Sequence, residues 1–272
     1  MAYAKQIYHR PICDCSEELQ PDLATALELR LQTLVRLSDV DLTQVRDCAA
    51  RTHRSIEADE QLVSEGELLR KPIAILSGWG AKVRVLLDGR RQLLSLLLPG
   101  DLVWGRTSQS TSSSNVVALT PMTVCEAPQM AELARNSALR VGYAAAAELE
   151  EYHMLSQITR LGRLTAYERC ADFLLEIGER LSLAGLTDGN CFSLPLTQDC
   201  LADALGLTTV HINRTLQSLR RDGVIRTKRG SVTLLNPVAL AKLVDRRLAP
   251  RLRRPTAQTA ASAKKASAPL AQ

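Results

Sequence analysis

The chain has 272 residues, 46% of them hydrophobic and 23% charged, which suits one large or two ordinary globular domains. No apolar run approaches the ~20 residues of a membrane-spanning helix, the first residues carry no apolar signal stretch, and the seven cysteines are an odd number. A soluble protein of the reducing cytoplasm, without a disulfide framework, is therefore expected, and its charge is divided: 14 Lys/Arg against 4 Asp/Glu from Asn190 onward, but 20 against 25 before it.

Residues 1–30 read as an extension of mixed character, turning helical from about Asp22. Leu31 to Ala50 read as short helices, with Ser38 capping a turn that opens Asp39–Asp41. From Thr52 to Pro128 the pattern changes to short β-like runs at Ile73–Leu76, Lys82–Leu87, Gln92–Leu98, Val116–Leu119 and Met122–Cys125. Asp88-Gly89 between two such runs marks a hairpin, and the set predicts an antiparallel barrel or sandwich. A Ser/Thr-rich loop, Arg106–Asn115, interrupts it.

Helical periodicity then runs from about Met130 to Gly162, where Val141, Ala145, Leu149, Tyr152, Leu155, Ile158 and Leu161 recur at three- or four-residue steps. That stripe needs a cover, either its own domain or the same helix of a second copy. A further helix is predicted over Ala166–Leu183.

The stretch from Leu196 to Gly230 is the most informative. Thr197 caps a helix Gln198–Leu205 that Gly206 ends, and Thr208 caps a second, Thr209–Asp222, that Gly223 ends. Two short helices around a glycine turn, then two strands and the basic turn Thr227-Lys228-Arg229-Gly230, read as a winged helix-turn-helix. The polar face of the second helix offers Thr209, Val210, His211, Asn213, Arg214 and Gln217 to base edges. Arg214 suits guanine O6/N7, and Asn213 has the donor–acceptor pair of adenine. Thr197, Thr208, Arg220, Arg221, Arg226, Lys228 and Arg229 are placed for phosphates, which set affinity rather than sequence.

The segment LTQDCLADALGLTTVHINRTLQSLRRDGVI resembles the winged helix-turn-helix of Crp/Fnr-family bacterial transcription regulators. The β-rich segment with PGDLVWG, followed by the long helix, resembles that family's cyclic-nucleotide-binding-like barrel and dimer helix. The resemblance covers roughly Leu31–Leu235 and implies an α+β chain: an N-terminal antiparallel, jelly-roll-like β-barrel, a long dimerisation helix and a C-terminal winged helix-turn-helix. The expected division is an extension 1–30, a sensor barrel 31–129, a dimer helix 130–164, a DNA-binding domain 165–237 and a basic, disordered tail 238–272. It further implies a homodimer on a two-fold symmetric operator of double-stranded DNA, and contact with RNA polymerase. The family's base-reading positions fall on Thr209, Val210, Asn213 and Arg214; Val210 replaces a glutamate common in the best-known members.

The family's cyclic-AMP sensors carry a Gly-Glu and an Arg-Ser pair around the phosphate, whereas the matching positions here hold Trp104-Gly105 and Ser112-Ser113, so no such site is expected. Its oxygen-sensing branch holds a four-iron cluster on cysteines. Cys125, in TVCEAP, resembles the barrel ligand, with Cys13 and Cys15 near the N-terminal ones, but their C-x-C spacing departs and a third N-terminal cysteine is missing. The leading expectation is a regulator without a cofactor; an iron–sulfur or thiol redox sensor on Cys13, Cys15 and Cys125 is the alternative. A protein-docking module with an idle helix-turn-helix is a second one. Enzyme activity is not expected, because no G-x-S-x-G, P-loop or G-x-G-x-x-G motif is present and no histidine lies between Arg54 and Pro128.

Overall fold

The computed structural model describes residues 24–104 and 110–246. It opens with α1 (Thr25–Leu34) and α2 (Asp39–Thr52). Ser38 caps α2 as expected, in a reciprocal capping box with Asp41. Helix α1 straddles the expected end of the extension at residue 30, because Leu27, Arg30, Leu31 and Leu34 are all buried on one face.

Eight strands follow: β1 (Arg54–Ile56), β2 (Gln61–Val63), β3 (Ile73–Ser77), β4 (Gly80–Val85), β5 (Arg91–Leu97), β6 (Leu102–Val103), β7 (Asn115–Ala118) and β8 (Met122–Glu126). They form two four-stranded antiparallel sheets, ordered β1-β8-β3-β6 and β2-β7-β4-β5. Ile56, Val63, Ile75, Leu97, Val103, Val116 and Val124 fill the space between the sheets. The hairpin at Asp88-Gly89 joins β4 to β5, with Val85 paired to Arg91. Strands β1, β2 and β6 carry no periodic signal, since two or three residues cannot show one.

The long helix α3 spans Ala138–Arg163, capped by Ser137. It starts eight residues later than the expected Met130, and the Ser137 hydroxyl also reaches Asp41 Oδ1 at 2.8 Å, fixing its start against α2. Its apolar stripe proves to be two faces. Ala145 and Leu149 are buried with Leu34 of α1, whereas Val141, Leu155 and Ile158 are 56%, 57% and 66% exposed. Helix α4 (Ala166–Leu183) follows, with Thr165 and Glu168 forming a second capping box.

The C-terminal part comprises β9 (Cys191–Ser193), α5 (Gln198–Leu205), α6 (Thr209–Arg221), β10 (Ile225–Lys228), β11 (Ser231–Leu234) and α7 (Pro237–Leu243). The wing is a three-stranded sheet β10-β11-β9 rather than a lone hairpin. The expected tail from residue 238 needs correcting as far as Arg246. Helix α7 buries Leu240, and Arg246 bonds Asp172 Oδ1 at 2.6 Å and Glu179 Oε2 at 2.9 Å. Residues 247–272 lie outside the described residues.

One apolar core runs from the outer face of β4 and β5 (Ala81, Val83, Leu93, Leu96) through α4 (Phe173, Leu174, Ile177) to Leu205, Ile212 and Leu219. Hydrogen bonds bridge the same junction. Arg91 Nε meets Asp203 Oδ2 at 2.5 Å, and Gln92 and Gln157 donate to the carbonyls of Asp203 and Ala204.

Beside this core runs a chain of buried ions. Arg160 pairs with Asp172 and Glu176 at 2.7 and 2.6 Å; Arg180 pairs with Glu176 at 3.2 Å and Asp101 at 2.5 Å. Burial alone would raise Glu176, but Arg160 and Arg180 outweigh it and hold its carboxyl at about 2. Burial, with Arg180 nearby, pushes the His153 imidazole down to about 3, so the ring is neutral.

Candidate nucleic-acid interface

Helices α5 and α6 owe their position to small, well-placed signals. Thr197 Oγ1 accepts from Cys200 N–H at 3.1 Å and Thr208 Oγ1 from His211 N–H at 3.2 Å. Each hydroxyl keeps its own O–H to donate. Gly206 closes α5 in the left-handed region at φ 60°, where a side chain would be strained. Ile212, Thr215 and Leu219 then turn one face of α6 into the core.

The opposite face is what remains. Val210, His211, Arg214, Gln217, Arg220 and Arg221 are exposed, and Thr209 and Asn213 are half-buried. Asn213 is already engaged: its Nδ2 donates to Gln198 Oε1, and Gln198 Nε2 donates to Asn213 Oδ1 at 2.8 Å. The pair that would match adenine is thus closed on a neighbour, which the sequence could not show because Gln198 lies on the other helix. Arg220 Nη1 donates to Thr227 Oγ1 at 3.0 Å, tying α6 to the wing.

Lys228 pairs with Ser231 across a two-residue turn in which Arg229 and Gly230 have φ 46° and 78°. Two positive φ values make the tight hairpin turn that follows strand twist. That turn leaves Lys228 and Arg229 exposed at the wing's tip, with Arg226 exposed on the strand leading to it. Exposed Arg and Lys around a protruding helix form a surface that attracts a polyanion.

The cysteines fare differently. Cys125 is 2% exposed on β8, and burial, with Cys48 and Glu126 nearby, pushes its thiol up to about 12. A thiol that resists ionisation is the opposite of a ready metal ligand. Cys13 and Cys15 lie outside the described residues, among which no cluster of His, Cys, Asp or Glu could hold a metal ion. Trp104 lies edge-on to Tyr143 of α3 at 5.7 Å between ring centres. Ser112 is buried with its hydroxyl on the Ser114 carbonyl at 2.7 Å, and Gly105 and Arg106 fall outside the described residues.

Residues 53–134 match the cyclic nucleotide-binding domain family and residues 168–243 the Crp-like helix-turn-helix domain family. The chain is 32% identical over 184 residues to the transcriptional activator protein FnrL of Cereibacter sphaeroides, covering 64% of this chain and 72% of that protein. It is 30% identical over 234 residues to the nitrogen fixation regulation protein FixK of Bradyrhizobium diazoefficiens, covering 83% of this chain and 96% of that one. The chain belongs to the Crp/Fnr family of transcription regulators.

Among solved structures, FixK2 of Bradyrhizobium japonicum shares 28% identity and a TM-score of 0.62 with this Crp/Fnr-family chain, over 72% of it and 98% of FixK2. A CRP-family regulator of Thermus thermophilus, at 22% identity and a TM-score of 0.56, shares the fold over 72% of this chain and 98% of its own. The α+β architecture expected from the sequence is the one observed, and DNA binding is the function of this Crp/Fnr-family regulator. No helix among the described residues is long and apolar enough to cross a membrane.

Proposed function

We propose that this regulator reads a two-fold symmetric DNA operator as a homodimer, laying α6 in the major groove and its wing on the flanking backbone. The observation that carries the reading is the exposed face of α6, with Val210, His211, Arg214 and Gln217 outward beside the basic turn at Arg229. In this reading Arg214 takes a guanine, and Asn213 takes an adenine after releasing Gln198. Thr209 touches the same groove from the start of the helix. Thr197, Thr208, Arg220, Arg221, Arg226, Lys228 and Arg229 hold phosphates on either side.

The dimer seam is the outer face of α3. Val141, Leu155 and Ile158 stand exposed there, apolar side chains that a second copy of the helix would cover. The barrel serves as the sensing part, and the working compartment is the cytoplasm, with RNA polymerase as a further partner. Relatives named as transcriptional activators make activation the direction of control in this reading. No resident cofactor enters it.

Selection of bound duplexes from a random pool tests the proposal. An enriched inverted repeat, lost or relaxed at one base pair in Arg214→Ala, is expected. Enrichment of no sequence, or an unchanged sequence with Arg214→Ala, would overturn the assignment. Leu155→Glu with Ile158→Glu is expected to give a monomer by sedimentation that no longer distinguishes the repeat from a half-site.

A further inference from the structure

Beside the sheets lies a cleft that DNA binding does not use. Arg30 of α1, His153 of α3, Arg180 of α4 and the turn at Gly100-Asp101 line it, and it is a narrow space, partly open to solvent. Buried polar atoms are normally all bonded. Among the described residues four buried side-chain atoms have no hydrogen-bond partner, and three of them are on residues that line this cleft: Arg30 Nη1, Arg180 Nε and His153 Nδ1.

The neighbouring carboxylates do not supply what is missing. Asp101 Oδ2 takes Arg180 Nη2 at 2.5 Å and the Leu98 N–H at 2.8 Å, while Oδ1 stays 4.0 Å from Arg30 Nε. Glu176 is shared between Arg160 and Arg180 and stays 3.7 Å from His153 Nδ1, and Glu150 is paired with Lys82. Arg30 and Arg180 are close enough to repel, each 6% exposed, with Asp101 shared between them. A donor set of two guanidinium edges and one ring nitrogen is the chemistry that grips an oxyanion at two or more oxygens. Arg30 packs directly on the Gly100 turn, where an added Cβ would come within 2.7 Å of Arg30 Cβ.

We propose that this cleft binds a small oxyanion, a carboxylate or phosphate of few heavy atoms, between Arg30 Nη1 and Arg180 Nε, with His153 donating from Nδ1. The site sits between the barrel side, represented by α1 and the Gly100 turn, and α4, which lies within the helix-turn-helix match from residue 168 on. Resting on the DNA-binding reading above, the anion acts as an effector that ties the sensing part to the DNA-binding part.

Heat unfolding of the full chain, titrated with sodium phosphate and with sodium malonate against sodium chloride at equal ionic strength, tests the site. Expected is a saturable rise of several degrees at millimolar concentration with at least one of the two anions. The rise should persist in Arg214→Ala, which alters the DNA surface, and vanish in Arg30→Met. A rise no larger than chloride gives, or one kept by Arg30→Met and lost by Arg214→Ala, would overturn the site. Should Arg30→Met not fold, Arg30→Lys keeps the charge but loses the second N–H edge. It should weaken the apparent affinity at least tenfold, and unchanged affinity counts against the proposal. DNA titrations with and without the saturating anion read the coupling. A change of threefold or more supports the effector role, and equal affinities refute it. Failure to bind any selected duplex in either condition refutes the DNA reading and leaves the thermal result standing.

Discussion

Two sets of arginines divide this molecule. Arg214, Arg220, Arg221, Arg226 and Arg229 are exposed around α6 and the wing, whereas the side chains of Arg160, Arg180 and Arg246 are buried and each bound to carboxylates. The residue type is the same, and burial decides its work. An exposed guanidinium costs little to hold ready for a phosphate or a base; a buried one must be neutralised where it stands.

Breaking a buried pair should give the largest effect. Arg160→Ala leaves Asp172 and Glu176 charged and short of a partner, which is expected to cost about 3–5 kcal/mol. In a chain of this size the unfolding midpoint should fall by roughly 10 °C, while the folded fraction keeps its DNA affinity. A fall under about 2 °C would show the network to be dispensable.

Acid should find the same network next. His153 is held neutral, with its folded value near 3 below the ordinary 6.5, so its contribution is complete above about pH 6.5 and lost as pH falls toward 3. Glu176, held at about 2, adds a loss below its ordinary 4.5. Chemical unfolding should therefore show about 2–3 kcal/mol less stability at pH 4.5 than at pH 7. His153→Gln should flatten the part between pH 6.5 and 4.5, and an unchanged slope would locate the acid sensitivity elsewhere.

The exposed set should respond in binding rather than in stability. Arg214→Ala is expected to lose about 1–3 kcal/mol of affinity for the selected duplex, with an unfolding midpoint within 1–2 °C of the parent. Smaller still, Arg229→Ala should weaken all duplexes alike and lower the salt dependence of binding by about one counterion. A sequence-dependent loss there would move Arg229 from the phosphates to the bases.

The two regions were also unequally legible. Helices α5 and α6 were readable almost to the residue, because Thr197, Gly206 and Thr208 are local signals that act within one turn of the chain. The hairpin at Asp88-Gly89 was legible for the same reason. The start of α3 was not: residues 130–137 hold no proline, so periodicity ran on past the point where Ser137 and Asp41 fix the helix. Its stripe read as one face because spacing records which residues are apolar, not which side α1 covers. Arg246 looked like part of a solvated basic tail, and only the fold brings it to Asp172 and Glu179. The cleft was invisible, since Arg30, Asp101, His153 and Arg180 are scattered over 150 residues of sequence.

If Asn213 takes an adenine as proposed, the closed carboxamide pair between Asn213 and Gln198 sets a threshold for that recognition. Two side chains already exchange donor and acceptor much as one edge of a base would. On the proposed reading, an adenine in the right register would replace both of Asn213's bonds, and Gln198 would have to find new partners. On the same reading, a base pair that cannot match both bonds would leave the pair shut and that position unread. On that reading the selectivity would lie in two amides that already hold each other.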